Sequence, residues 1–196
     1  MIRILLSSLI ISCTLYALPM PETNLVFDEQ WAVAYSGFRK GQHPDRGFGA
    51  KNPTYEQTLE DLEILLEYDF KLIRLYDSGE NSEMVLDVIR DNNLPIKVVL
   101  GAWLDAEISN HERCSWLNEP IPKKKLKANI KKNKAEVNKA IKLCRKYADI
   151  ITAVSIGNET QIFWHDHTVP EASLLSYIKK VNSSFLNRSC CSVCGQ

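Results

Sequence analysis

The chain has 196 residues, with 24 Lys and Arg balanced by 24 Asp and Glu. At 45% apolar residues it is long enough to bury a sizeable core. Zero net charge argues against a nucleic-acid partner, which would leave a basic footprint.

Residues 1–20 read as an export signal. A single early charge, Arg3, precedes the apolar stretch 4–11, which is too short to span a bilayer. It ends in Ile10-Ile11-Ser12-Cys13, a pattern resembling a bacterial lipobox, so Cys13 is the expected site of lipid attachment. Ordinary signal cleavage near Ala17 is the other reading, although Leu15 stands where a small residue is wanted. The expected location is the cell envelope through that lipid, or the exterior after secretion. No other membrane attachment is expected.

From residue 31 onward, short apolar runs alternate with helical periodicities. Strands are predicted over 31–38 (WAVAYSGF), 72–77 (LIRLYD), 96–104 (IKVVLGAWL) and 150–157 (IITAVSIG). Their near-continuous Val, Ile and Leu suit strands covered on both faces, as in parallel sheets. The first helix is announced by a capping box from Thr54 to Gln57, followed by a stripe of Leu59, Leu62, Leu65 and Leu66. Met84, Val85, Val88 and Ile89 mark a second helix, and Val137, Ala140, Ile141, Cys144 and Ala148 a third. Leu174, Leu175, Ile178 and Val181 mark a fourth. The lysine-rich run KKKLKANIKKNK, 123–134, reads as a solvated loop leading into the third helix, because no aromatic residues interleave with it to stack bases.

Alternating strands and helices predict an α/β fold, either a doubly wound sheet or a (β/α)8 barrel. The glycines of GQHPDRGFG lack the spacing of a dinucleotide fingerprint, so the doubly wound reading falls and no cofactor is expected. A barrel needs eight units over typically about 250 residues, whereas four are seen before the periodicity stops at Val181. Residues 185–196 read as an anomalous tail, frameshifted or truncated. Of the cysteines beyond Cys13, Cys114 and Cys144 could pair in an exported protein, although spacing alone does not settle it. The tail motif CCSVC has no second ligand pair for zinc.

In parallel α/β folds, ligands bind where strands finish. The predicted strands finish in Tyr35, in Arg74 and Tyr76, in Trp103, and in Asn158-Glu159. Aromatic faces suit sugar rings, while amides and carboxylates suit hydroxyls. Arg74, on an apolar strand, must be paired if buried, and a structural ion pair with Asp77 is as good a reading as a binding role. Asn158-Glu159 could cap the following helix, but Pro170 offers a better helix start.

Here the motifs resemble a known family. AYSGFRKGQHPDRG, KLIRLYD, IKVVLGAWL and AVSIGNETQIFW, in that order, are similar to bacterial members of glycoside hydrolase family 17, β-1,3-glucanases of clan A. The resemblance runs from about residue 31 to 181 and implies that residues 27–184 form the N-terminal half of a (β/α)8 TIM barrel. It makes Glu159 the general acid/base and Asn158 the ligand of the sugar 2-hydroxyl. Arg74 would orient the catalytic carboxylates, and Tyr35, Tyr76, Trp103 and Trp164 would line subsites, though any aromatic among them could be core. The family needs no metal, so His165-Asp166-His167 is expected to face substrate or solvent. The implied partner is a β-glucan. The family nucleophile, a glutamate on strand seven, matches no residue of this chain, which is therefore expected to be inactive alone. Glucanosyl transfer within the same family, or a non-catalytic glucan-binding lipoprotein, are the alternatives.

Overall fold

The structure, a computed structural model, describes residues 31–45, 48–184 and, for the backbone, 192–195. The readings placed on residues 1–20, Cys13 included, lie outside the described residues. The elements run β1 (Trp31–Ala34), α1 (Tyr55–Glu67), β2 (Phe70–Arg74), α2 (Glu80–Asp91), β3 (Lys97–Ala102), α3 (Lys123–Lys146), β4 (Ile151–Ile156), α4 (Glu171–Ser183) and β5 (Ser192–Gly195). The strands form one sheet in the order β1-β2-β3-β4-β5, every neighbouring pair parallel. A doubly wound sheet reverses its strand order at a switch point, whereas here each strand lies beside the next in sequence. That sequential order fits a partial (β/α) barrel.

The helices close over one face of the sheet. Ile73, Leu75, Val98, Leu100, Val154 and Ile156 point into a single core with Leu62 of α1, Val85 and Ile89 of α2, Val137 and Ile141 of α3, and Val181 of α4. The capping box at Thr54 forms as predicted: its hydroxyl accepts from Gln57 N–H while the Gln57 carboxamide accepts from Thr54 N–H. Strand alternation turns Ala32, Ala34, Leu72, Arg74 and Val99 to the opposite face, where they line an open hollow of about 230 Å3. Ala34 and Arg74, the last residues of β1 and β2, belong to that lining.

Three expectations need correction. The lysine-rich run is helix, the first half of α3, and not a loop. Its inward stripe carries Asn129 and Asn133, both buried, so the apolar period that would have announced the helix is missing. The tail contains a strand: β5 pairs with β4 from Ala153↔Ser192 to Ile156↔Gly195. Ser-Val-Cys-Gly has no apolar run, and the pairing rests on backbone hydrogen bonds that composition does not reveal. Cys114 and Cys144 are both buried, and no disulfide joins them to each other. Among the described residues no helix is long and apolar enough to cross a membrane.

Candidate active site

The predicted strands ran too long, and the surplus is informative. Tyr35, Tyr76 and Trp103 lie just past β1, β2 and β3, in the loops at their carboxyl ends. The ladder persists one residue further, as Tyr35 N–H donates to Arg74 O, Leu75 N–H to Val99 O and Gly157 N–H to Ala102 O. After β4 the chain turns sharply. Gly157 takes a φ of 80°, and a Cβ there would come within 3.0 Å of the buried Thr160 side chain. Glu159 itself has φ 55°, a left-handed backbone that is strained for a residue with a Cβ. Since α4 begins only at Glu171, Glu159 is neither its cap nor its first-turn acid.

The turn brings the sequence-predicted residues of β2 and β4 together. Arg74 Nη2 donates to Asn158 Oδ1 at 2.9 Å, and the guanidinium carbon lies 5.1 Å from the centre of the Tyr76 ring. Holding the amide oxygen fixes which end of Asn158 is free: its NH2 is left to donate to a ligand. Asp77 serves the start of α2, accepting from Gly79 N–H and the Ser82 hydroxyl. The Glu159 carboxylate is half exposed, and His165 Nε2 lies 3.0 Å from its Oε2.

Trp103 joins this group through histidine. Its ring centre is 5.0 Å from that of His167, whose Nε2 is 2.8 Å from the Asn158 carbonyl oxygen. His165 and His167 both place Nδ1 3.0 Å from Asp166 Oδ1. Burial by itself would raise the Asp166 carboxyl, but hydrogen bonds from His167, the Trp116 indole and His165 hold it below the usual carboxylate range. Trp116 also packs edge-on against His165, with ring centres 5.7 Å apart. Trp164, on the same loop, is half exposed and packs edge-on against Phe163. Tyr35 turns elsewhere: its hydroxyl donates to Asp61 of α1, which also binds Arg39. Burial, and then the Asp61 charge, push the Tyr35 hydroxyl well above its ordinary value.

Sequence reasoning missed the supports under the loops. Along α3, Asn129, Asn133 and Glu136 fall at i, i+4 and i+7, on one face. Asn129 Nδ2 donates to Ala106 O; Asn133 accepts from Asp105 N–H and donates to Asp105 O and Glu107 Oε1. Glu136 Oε1 accepts from Ser78 N–H at 2.7 Å and Trp103 N–H at 3.3 Å, joining the loops after β2 and β3. Burial is the main reason its carboxyl is held above the usual range, outweighing those hydrogen bonds. The signal available in the sequence was the polar triad at helical spacing, hidden among lysines.

No protein-family model matches the chain, and no curated protein matches it. Among solved structures, the chain is similar to the crystal structure of an endo-laminarinase from Formosa Hel1_33_131, with TM-score 0.60 and 24% sequence identity. The match covers 79% of this chain and 37% of that one, so the chain spans little more than a third of the laminarinase's length. At that identity the likeness is one of fold.

Proposed function

We propose that this chain is the acid/base-bearing part of a retaining glycoside hydrolase of family 17 type, acting on β-1,3-glucan. The observation that carries the reading is the Arg74–Asn158–Glu159 set at the carboxyl ends of β2 and β4. The ordered motifs and the fold likeness to a laminarinase support it. Glu159, open to solvent, donates its proton to the glycosidic oxygen and later takes one from the attacking water. Asn158, oriented by Arg74, offers its NH2 to the sugar 2-hydroxyl, a contact that tightens as charge develops at the anomeric carbon. Trp103 and Tyr76, each a little over one-third exposed, supply ring faces for neighbouring sugars. The nucleophile is a second carboxylate, about 5 to 5.5 Å from the first, contributed by a later barrel strand outside these residues. Export with a lipid on Cys13 completes the proposal, placing the enzyme at the cell envelope.

The test uses the enzyme assembled with those later strands. Glu159→Gln should lower turnover of laminarin by about 10²- to 10⁴-fold, the usual weight of acid/base assistance. It should form the glycosyl-enzyme intermediate far less impaired from an aryl glycoside, whose leaving group needs no proton. Azide should then restore turnover and yield the β-glycosyl azide, because a small anion attacks the intermediate without a base. Wild-type rates for Glu159→Gln on both substrates would remove Glu159 from the chemistry.

A further inference from the structure

The loop after β4 holds side chains whose hydrogen bonding calls for a cation. His167 Nε2 is 2.8 Å from the Asn158 carbonyl oxygen, which can only accept, so this nitrogen carries a hydrogen. His165 Nε2 faces a Glu159 carboxylate oxygen at 3.0 Å, which asks the same of it. In neutral imidazoles both lone pairs then fall on Nδ1. The Asp166 N–H, 3.1 Å from His165 Nδ1, also treats that atom as an acceptor. Yet both Nδ1 atoms lie 3.0 Å from one oxygen, Asp166 Oδ1. One ligand atom from each of His165, Asp166 and His167 lies within 4.8 Å of the other two. With both Nδ1 atoms unprotonated these contacts repel, and a ring proton, a proton on Asp166 or one metal ion relieves them.

The surroundings favour the metal. Histidines that ligate metals usually donate their other ring N–H to a carboxylate or a backbone carbonyl, and here one does each. Two ligands about 2.1 Å from a tetrahedral metal stand about 3.4 Å apart, so each Nδ1, now 3.0 Å from Oδ1, need shift by only a few tenths of an ångström to ligate. The loop is also held in place, since Asn110 Nδ2 donates to both Phe163 O and His165 O at 2.8 Å. Asp166 remains 42% exposed, which leaves a path of entry and positions for water.

We propose that His165 Nδ1, Asp166 Oδ1 and His167 Nδ1 bind a divalent transition-metal ion of the zinc class. Two imidazoles select such an ion over calcium or magnesium, which prefer oxygen. The ion displaces the Asp166 N–H from His165 and locks both rings with hydrogen on Nε2. Glu159 and the Asn158 carbonyl then keep fixed donors.

The probe is zinc chloride alone, titrated by calorimetry into the full chain carrying Cys190→Ser, Cys191→Ser and Cys194→Ser, so that tail thiols do not compete. One ion should bind per chain. Asp166→Asn and His167→Ala should each weaken binding at least about tenfold, the loss seen even for groups that merely orient a ligand. His43→Ala and His111→Ala should leave it unchanged. Absence of stoichiometric binding, or full binding in a His165→Ala/His167→Ala double variant, would overturn the proposal. Should the variants fail to fold, nitrogen-15 spectra of the unsubstituted loop decide. Zinc must shift Nδ1 of His165 and His167 with both Nε2–H signals retained, and a shift at Nε2 or at neither ring overturns it. Glucan plays no part in the measurement, so its outcome is separate from the fate of the proposed hydrolysis.

Discussion

Replacing Glu136 by Gln and by Ala separates two things its carboxylate does. It accepts hydrogen bonds from Ser78 N–H at 2.7 Å and from Trp103 N–H at 3.3 Å, and it carries a charge that burial disfavours. Ala removes both acceptor contacts. Ser78 is fully buried, so its orphaned N–H costs about 1–3 kcal/mol, and the longer Trp103 bond adds less than 1 kcal/mol or so. Part of that loss is offset because the penalised charge also disappears. The net loss of roughly 1–3 kcal/mol corresponds, for a chain of this size, to a fall in Tm of roughly 2–12 °C. Gln keeps an oxygen acceptor for both N–H groups and discards the charge, so at pH 7 it should match or exceed the wild type. The pH dependence follows from the raised carboxyl. A folded-state pKa above the unfolded value means the neutral form favours folding; that contribution is complete below about pH 4.5 and is lost as pH rises through the folded value. The advantage of Gln over wild type should therefore be smallest near pH 4 and grow toward pH 7. Urea unfolding followed by circular dichroism at four pH values between 4 and 7 measures it, with Trp fluorescence reporting on Trp103. A Gln variant as unstable as Ala at pH 7, or an advantage that ignores pH, would refute the reasoning.

Gly101→Ala should cost about 3 kcal/mol, the upper part of the usual range for overpacking, because the new Cβ would lie 2.3 Å from the Tyr76 backbone and 2.5 Å from Leu75 O, neither of which can swing aside; a change in urea stability within about 0.5 kcal/mol would contradict that close approach. The hydroxyls of Tyr35, Tyr147 and Tyr177 are all raised, first by burial and then by Asp61, Asp87 and Glu107 respectively, so the fold should lose stability as pH climbs past about 10. Absorbance at the phenolate band should show these three ionising only as the chain unfolds, against simple titration of all seven tyrosines together. Mass spectrometry of the membrane fraction should find Cys13 as a lipidated N-terminus, and a soluble mature chain starting after Ala17 would count decisively against it.

The sheet was legible because its strands face a core on the helix side. Val98, Leu100, Val154 and Ile156 are fully buried, and burial of that kind writes itself into sequence as runs of branched apolar residues. The strand limits were not legible, since Tyr35, Tyr76 and Trp103 continue the apolar lettering after the strands have ended. β5 was invisible for the opposite reason: four small residues pair through backbone groups common to every sequence. The first half of α3 failed on periodicity, because Asn129 and Asn133 occupy the stripe where Leu or Val is expected.

The candidate site was legible where one residue type must do one job at one place, and illegible where a job is shared. Asn158 and Glu159 close a buried strand on polar groups, a contradiction visible in the lettering itself. Arg74 on an apolar strand is another, and its bond to Asn158 Oδ1 resolves it with a contact spanning 84 residues of sequence. His165, Asp166 and His167 carried no such contradiction, being polar residues in a polar loop. Their meaning lies in tautomers, and a tautomer is fixed by what the far nitrogen touches. Here those partners are Glu159 and the carbonyl of Asn158, on the other side of the turn that Gly157 makes possible. The loop thus depends on the strand end for its hydrogen bonds, and the strand end depends on the loop to hold its acid. Substituting any one of the three loop residues should therefore disturb Glu159 as well, with His165 as the point of contact.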